Sequence, residues 1–179
     1  SWFNLSRRFN MKNSKAALKL ARWRRAAWYT RSSQSHRQLT LNGSTDISNY
    51  FLDTKSCLKV NKKVYEEFTK RKIPEVGDII FTRVGSYGNV SKVINHEKIC
   101  LGQNTALIHP LVDSNYLLFC LKSKFVRRQI ESLVVGSTQK SVSIKSIKEL
   151  KIPLPSKKEI SFITGILFSI QNKIELNKK

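Results

Sequence analysis

Gly77-Asp78-Ile79-Ile80-Phe81-Thr82-Arg83-Val84-Gly85-Ser86-Tyr87-Gly88-Asn89-Val90 is the stretch that most limits how this chain can fold. Ile79, Ile80 and Phe81 form a short apolar run of β-branched and aromatic residues, the pattern of a buried strand. A Gly-Asp turn precedes the run. Thr82 and Arg83 follow it, then a tight loop with Gly85 and Gly88 three apart. Taken alone, a two-glycine loop is an ordinary turn. Its weight comes from segments elsewhere in the chain.

From Asp46 onward, short apolar segments alternate with polar turns, which predicts a compact α+β body of short strands and helices. Residues 47–52 read as a strand or strand pair. Residues 61–71 read as a short helix with Asn61 as N-cap and Val64, Tyr65 and Phe68 inward. Short strands are predicted over 90–94, 98–101 and 105–109, the last ending at Pro110. Asp113 or Ser114 caps a predicted helix over 116–133, with Leu117, Leu118, Leu121, Phe125 and Ile130 as its apolar stripe. A polar loop, Gly136-Ser137-Thr138-Gln139-Lys140-Ser141, comes next. A short turn or helix over 144–150 then leads into an extended exit, Lys151-Ile152-Pro153-Leu154-Pro155.

The last 22 or so residues read as one long helix. Ile160, Ile163, Leu167, Ile170 and Ile174 are spaced 3, 4, 3, 4, the narrow seam of a coiled coil. Two prolines just before it argue for a separate arm. The alternative is an ordinary amphipathic helix packed on its own domain.

Residues 1–45 differ in character. They carry ten Lys/Arg and no acid, and all three tryptophans. Residues 15–29 are rich in Ala, Leu, Lys and Arg, which predicts a helix with Ala16, Leu20, Trp23 and Ala27 on one face. Such a basic amphipathic segment also fits an organelle presequence, a membrane-surface helix or a poorly ordered extension. Residues 31–43 read as a polar linker.

The whole chain of 179 residues has a formal charge of +21, a field that favours a polyanion. From Asp46 on, 23 Lys/Arg stand against 12 Asp/Glu, so the body keeps about +11 without the basic segment. No apolar run reaches the roughly 18 residues of a membrane span. Cys57, Cys100 and Cys120 form no CxxC pair and lie at no zinc-ligand spacing with the histidines. Free thiols in a reducing cytoplasm are the expectation, with no metal and no cofactor.

Three motifs in fixed order carry a more specific message: the Gly77–Val90 stretch, a strand with Gly102-Gln103-Asn104, and the Gly136-Ser137-Thr138-Gln139 loop. Leu150-Lys151-Ile152-Pro153-Leu154-Pro155 follows and runs into a helix with Glu159. In this order and spacing the chain resembles the specificity subunit of type I restriction–modification systems, over about residues 46–177. The resemblance implies a target recognition domain over 46–155 and a conserved dimerisation or spacer helix over 156–179, behind a basic segment over 1–45. It implies a non-catalytic protein that reads double-stranded DNA and docks methyltransferase subunits, with a restriction subunit in the full complex. The family usually carries two such domains in tandem. One domain and one helix therefore imply a half-subunit that could homodimerise through the helix, or a truncated product.

The residue chemistry agrees with that role. Gly85 and Gly88 let the backbone turn sharply and approach a partner closely. Arg suits a bidentate contact with guanine, and Gln or Asn one with adenine. Arg83, Gln103, Asn104 and Gln139 are thus candidate base readers, with Tyr87 beside Arg83 on the loop. Ser86, Ser137, Thr138, Lys140 and Lys145 are candidate phosphate contacts. The bland alternative is that these residues only hold turns of the fold. Ile160, Ile163, Leu167, Ile170 and Ile174 are the candidate helix interface.

Other functions have less behind them. Glu149-Leu150-Lys151 with Asp113 upstream lacks a strand-borne Asp nearby, so it reads as surface charge rather than a nuclease centre. There is no P-loop and no nucleophile elbow. An RNA-binding or ribosome-associated basic protein is the alternative from another class, and a regulatory decoy of a restriction system is a third reading.

Overall fold

The computed structural model describes residues 15–16, 21–25, 39–41, 47, 50–52, 54, 57–70, 72–102, 104–136 and 140–177. In chain order the elements are β1 (Lys15–Ala16), β2 (Ala21–Arg25), β3 (Leu39–Leu41), β4 (Leu58–Lys59), α1 (Lys62–Thr69), β5 (Ile79–Thr82), β6 (Val90–Lys92), β7 (Ile99–Leu101) and β8 (Thr105–Pro110). They are followed by α2 (Ser114–Lys122), α3 (Lys124–Ser132), α4 (Ile144–Lys148), β9 (Lys151–Ile152) and α5 (Lys157–Leu176). This is the expected α+β architecture.

Every residue of β5 is buried. Ile79 and Phe81 face one way, with Ala106 and Ile108 of β8, onto Leu117, Leu118 and Leu121 of α2 and Val126 and Ile130 of α3. Ile80 and Leu107 face the other way, onto Ile47, Val93, Ile99 and Leu101. The antiparallel register pairs residues of like facing, Ile79 with Ile108, Ile80 with Leu107 and Phe81 with Ala106. A sheet ordered β2-β8-β5-β6 is therefore the middle layer, with helices on one side and the β4-β3-β7 sheet on the other. Each of these large side chains contributes roughly 1.5–3 kcal/mol by leaving water. A one-residue slip of β5 would exchange its two faces.

Among the described residues, one buried carboxyl group sits in this layer. Asp78, 1% exposed, receives the Glu75 N–H at 2.9 Å and lies 2.7 Å from His109 Nδ1. It ties the turn before β5 to the far end of β8.

Residues 15–16 and 21–25 correct the helix predicted over 15–29. β1 pairs antiparallel with β9, and β2 pairs antiparallel with β8 along five residues, from Ala21 opposite Pro110 to Arg25 opposite Ala106. Helix propensity is a preference of tenths of a kcal/mol per residue. The open edge of β8 offers a ladder whose hydrogen bonds contribute about 0.5–1.5 kcal/mol each, and it prevails. The remainder of the predicted helix lies outside the described residues. The strand expected over 47–52 reduces, in its described part, to a bridge of Phe51 to Lys92, with Leu52 N–H donating to Lys92 O and Lys92 N–H to Tyr50 O.

The helix predicted over 116–133 is two helices meeting at Ser123. Its hydroxyl donates to Cys120 O at 2.6 Å and accepts from Val126 N–H at 3.2 Å, so one side chain ends α2 and begins α3. The break turns the stripe: Val126 is buried and Phe125 is 37% exposed. Two caps match expectation, with Asn61 accepting from Val64 N–H at 2.9 Å and Asp113 from Tyr116 N–H at 2.7 Å.

α5 opens with a reciprocal capping pair, the Glu159 carboxylate receiving the Ser156 N–H while Ser156 Oγ receives the Glu159 N–H. Ile160 and Ile163 join the main core, and Thr164 and Gln171 are also buried. Ile170 and Ile174 are 50% and 45% exposed. A straight helix drifts about 20° per heptad against a 3.5-residue seam, which carries the later isoleucines off the packed face.

Phe81→Ala is expected to cost about 3–5 kcal/mol, the usual range for emptying a core aromatic site. Phe125→Ser is expected to stay within about 0.5 kcal/mol of the parent. Urea midpoints at constant m-value measure both, and equal costs would return Phe125 to the core.

Candidate nucleic-acid interface

Thr82, the last residue of β5, is 1% exposed and closes the glycine loop. Its hydroxyl donates to Ser86 O at 2.5 Å and accepts from Asn89 N–H at 3.0 Å. Its carbonyl takes the Gly88 N–H at 2.9 Å. Gly85 and Gly88 have φ of +71° and +81°, left-handed conformations that a side chain resists. The loop is therefore a small closed unit at one end of a fully buried strand.

Asn104 of the second motif and residues 140–142, just after the third, meet it there. Arg83 N–H donates to Asn104 O at 2.7 Å, and Gly85 N–H to Lys140 O at 3.1 Å. Val142 N–H donates to Arg83 O at 2.9 Å, and Arg83 Nε–H to Val142 O at 3.3 Å. Val84 bridges Ser141, which in turn exchanges both main-chain hydrogen bonds with Val135. Segments remote in the chain thus form one surface held together largely through backbone.

Ser86, Asn104 and Lys140 are exposed, and Lys145 is exposed on α4. Arg83 is half-buried. Tyr87 is also half-buried, packed against the main core rather than standing free. Gln103, Ser137, Thr138 and Gln139 lie outside the described residues, although their neighbours Gly102, Asn104, Gly136 and Lys140 are in place. Segments 82–89, 102–105 and 135–146 contain no Asp or Glu while carrying Arg83, Lys140 and Lys145. These segments bring positive charge and no acid of their own, which suits an anionic backbone.

Groups with shifted proton affinity lie elsewhere. Burial pushes the Cys120 thiol up to about 12 and raises the Tyr116 phenol, whose hydroxyl donates to Pro153 O. Burial lowers the ammonium groups of Lys92 and Lys122, the latter 4.7 Å over the Tyr50 ring. Among the described residues, no three His, Cys, Asp or Glu side chains gather to hold a metal.

Arg127 on α3 belongs to this surface, and no motif pointed to it. Its Nη1 donates to Tyr87 O at 2.9 Å, and its guanidinium carbon lies 5.2 Å from the centre of the Tyr87 ring. A basic residue on a helix gives no sequence signal of reaching a loop forty positions earlier.

A family model for the type I restriction modification DNA specificity domain matches residues 25–179. A Methanocaldococcus jannaschii protein assigned as the MjaX type I restriction enzyme specificity subunit is 32% identical over 115 residues, 58% of this chain and 27% of that protein. The chain thus spans about a quarter of that relative's length. The specificity subunit from M. genitalium superposes with a TM-score of 0.64 at 20% identity, over 90% of this chain and 39% of the other. The HsdS subunit from Thermoanaerobacter tengcongensis gives 0.64 at 16% identity, over 92% and 38%. At these identities the two structures attest to a common fold.

Gly85→Ala is expected to cost about 1–2 kcal/mol, the strain of a left-handed alanine, because open space surrounds it. Gly88→Ala is expected to cost more. Its Cβ would stand 2.7 Å from Arg127 Nη1 and 3.3 Å from Ile130 Cγ2, so the Tyr87 hydrogen bond is lost as well. Thermal melts of both variants rank them, and the reverse order would contradict the packing around Gly88.

Proposed function

The chain belongs to the type I restriction–modification DNA specificity family, and from that premise we propose that it reads double-stranded DNA through the loop surface beyond Thr82. The observation that carries the proposal is the joining of residues 83–85, Asn104 and residues 140–142, remote in the chain, by main-chain hydrogen bonds into one face whose own segments carry Arg83 and Lys140 and no acid. Backbone ties leave the exposed side chains of Ser86, Asn104 and Lys140 available for contact, while Arg83 is half-buried with its Nε on Val142 O. Asn104, Gln103 and Gln139 are the proposed adenine readers and Arg83 the proposed guanine reader. Ser86, Ser137, Thr138, Lys140 and Lys145 are the proposed phosphate contacts. Tyr87, turned toward the core, serves the shape of the loop.

The division of labour follows the proposal: residues 46–155 recognise DNA, with β2 of the basic segment at the edge of one sheet and β3 between β4 and β7 in another, and α5 docks partners. Ile160 and Ile163 serve the chain's own core. Phe162, Ile166, Ile170 and Ile174, four residues apart, are 70%, 47%, 50% and 45% exposed. This apolar ridge supports docking against a methyltransferase subunit or the helix of a second copy. In this reading, chemistry belongs to the methyltransferase and restriction subunits, and the complex acts in the cytoplasm. None of the described helices is long and apolar enough to cross a membrane.

Methylome sequencing of cells that express the chain with its methyltransferase tests the reading. A defined motif is expected, and a bipartite palindrome if two copies pair through α5. Absence of any motif, or equal binding to duplex RNA, overturns it. Affinity for the motif is expected to fall steeply with salt, and a flat dependence would contradict the cationic face. Arg83→Ala is expected to relax one position of the motif, at about 1–3 kcal/mol; an unchanged motif removes Arg83 from the readers. Ile170→Lys with Ile174→Lys is expected to abolish partner docking while leaving the melting temperature unchanged. Unaltered co-sedimentation with methyltransferase would place the docking face elsewhere.

A further inference from the structure

The glycine loop is fastened at both ends by its own backbone, through Thr82 to Gly88 and Asn89 and through Gly85 to Lys140. Between those anchors the Tyr87 carbonyl is taken by Arg127, which projects from α3. The guanidinium is held in three ways. Nη1 donates to Tyr87 O at 2.9 Å, the group lies over the Tyr87 ring, and Nε donates to Glu131 Oε1 at 3.1 Å one turn along the same helix. Gly88 leaves the room this requires, since a Cβ there would meet Nη1 at 2.7 Å. Ile130, one turn before Leu133, is fully buried under the same loop, so α3 cannot slide without disturbing the core.

From this geometry we infer that Arg127 is a positioning residue for DNA recognition: it sets the height and tilt of the Ser86-Tyr87 tip against residues 140–142. The inference rests on the proposed DNA-reading role of that surface. The charge of Arg127 is already met by Glu131, and its Nε and Nη1 donate to protein groups, so it works through the loop instead of on phosphate. A lysine could keep the charge but not the planar fork that bonds a carbonyl, stacks on a ring and reaches a carboxylate together.

Arg127→Lys and Arg127→Met in the full chain, with its methyltransferase, separate these roles. The probes are a duplex bearing the wild-type methylation motif and an unrelated duplex of equal length. Both variants are expected to lose roughly tenfold in the preference for the motif, about the cost of one mismatched base pair. Affinity for the unrelated duplex and the salt slope are expected to stay as in the parent. If Lys restores full preference, or the slope falls by about one in Met alone, Arg127 is a phosphate contact and the inference fails.

Amide hydrogen exchange without DNA gives a second readout. Residues 86–89 are expected to exchange at least tenfold faster in both variants, with β5 unchanged. Unaltered exchange at 86–89 overturns the inference whatever the DNA result. If the parent itself prefers no duplex, the DNA-reading proposal fails, and exchange alone then decides whether Arg127 positions the loop.

Discussion

The structure depends on a strand with no side facing water. β5 sends Ile79 and Phe81 into one core and Ile80 into another, and β8 repeats the alternation beside it. A strand buried on one face can slip by two residues and keep its pattern. With helices against one face and a second sheet against the other, β5 is held in all directions. Its last residue, Thr82, is therefore a fixed point in space, and the loop that leaves it inherits that fixity.

The proposed recognition surface makes use of that rigidity in an economical way. The contacts that join residues 83–85 to 104 and to 140–142 are nearly all between main-chain groups. Such bonds need particular backbone conformations, hence the glycines at positive φ, but they place little demand on side chains. The exposed positions among them, Ser86, Asn104 and Lys140, could change without loosening the platform. The proposed role in reading DNA would benefit from that separation of shape from readout. Thr82, Arg83 and Arg127 are the exceptions, side chains that take part in the shape.

α5 divides its apolar residues between two duties. Ile160 and Ile163 anchor its first turns to the main core, Thr164 Oγ1 approaches Asp113 Oδ1 at 3.4 Å, and Phe168 meets Phe51 edge-on with ring centres 6.4 Å apart. Phe162, Ile166, Ile170 and Ile174 stay outward. A seam spaced 3, 4, 3, 4 does not follow the face of one straight helix, because 3.5 and 3.6 residues per turn part company within a few turns. The same sequence thus supports both an attached helix and an apolar ridge for a partner.

Short-range chemistry was legible along the chain. The buried strand, the Asn61 and Asp113 caps, the positions of β6 to β8 and the start of α5 follow from burial patterns and local hydrogen bonding, which involve neighbours only. The motif order was enough to suggest the family. What the tertiary structure decided is everything that needed a distant partner. Residues 21–25, helix formers by composition, became a strand because β8 presented an open edge. Ser123 split a helix and moved Phe125 outward because a hydroxyl can serve two backbones at once. Arg127 joined the loop surface because folding brought α3 over Gly88. Sequence by itself determines which segments must be buried and where the chain must turn, since those follow from hydration and dihedral preference. Which turns meet, and which side chain reaches across to hold them, depends on contacts between residues far apart in the chain, and only the packed fold supplies those.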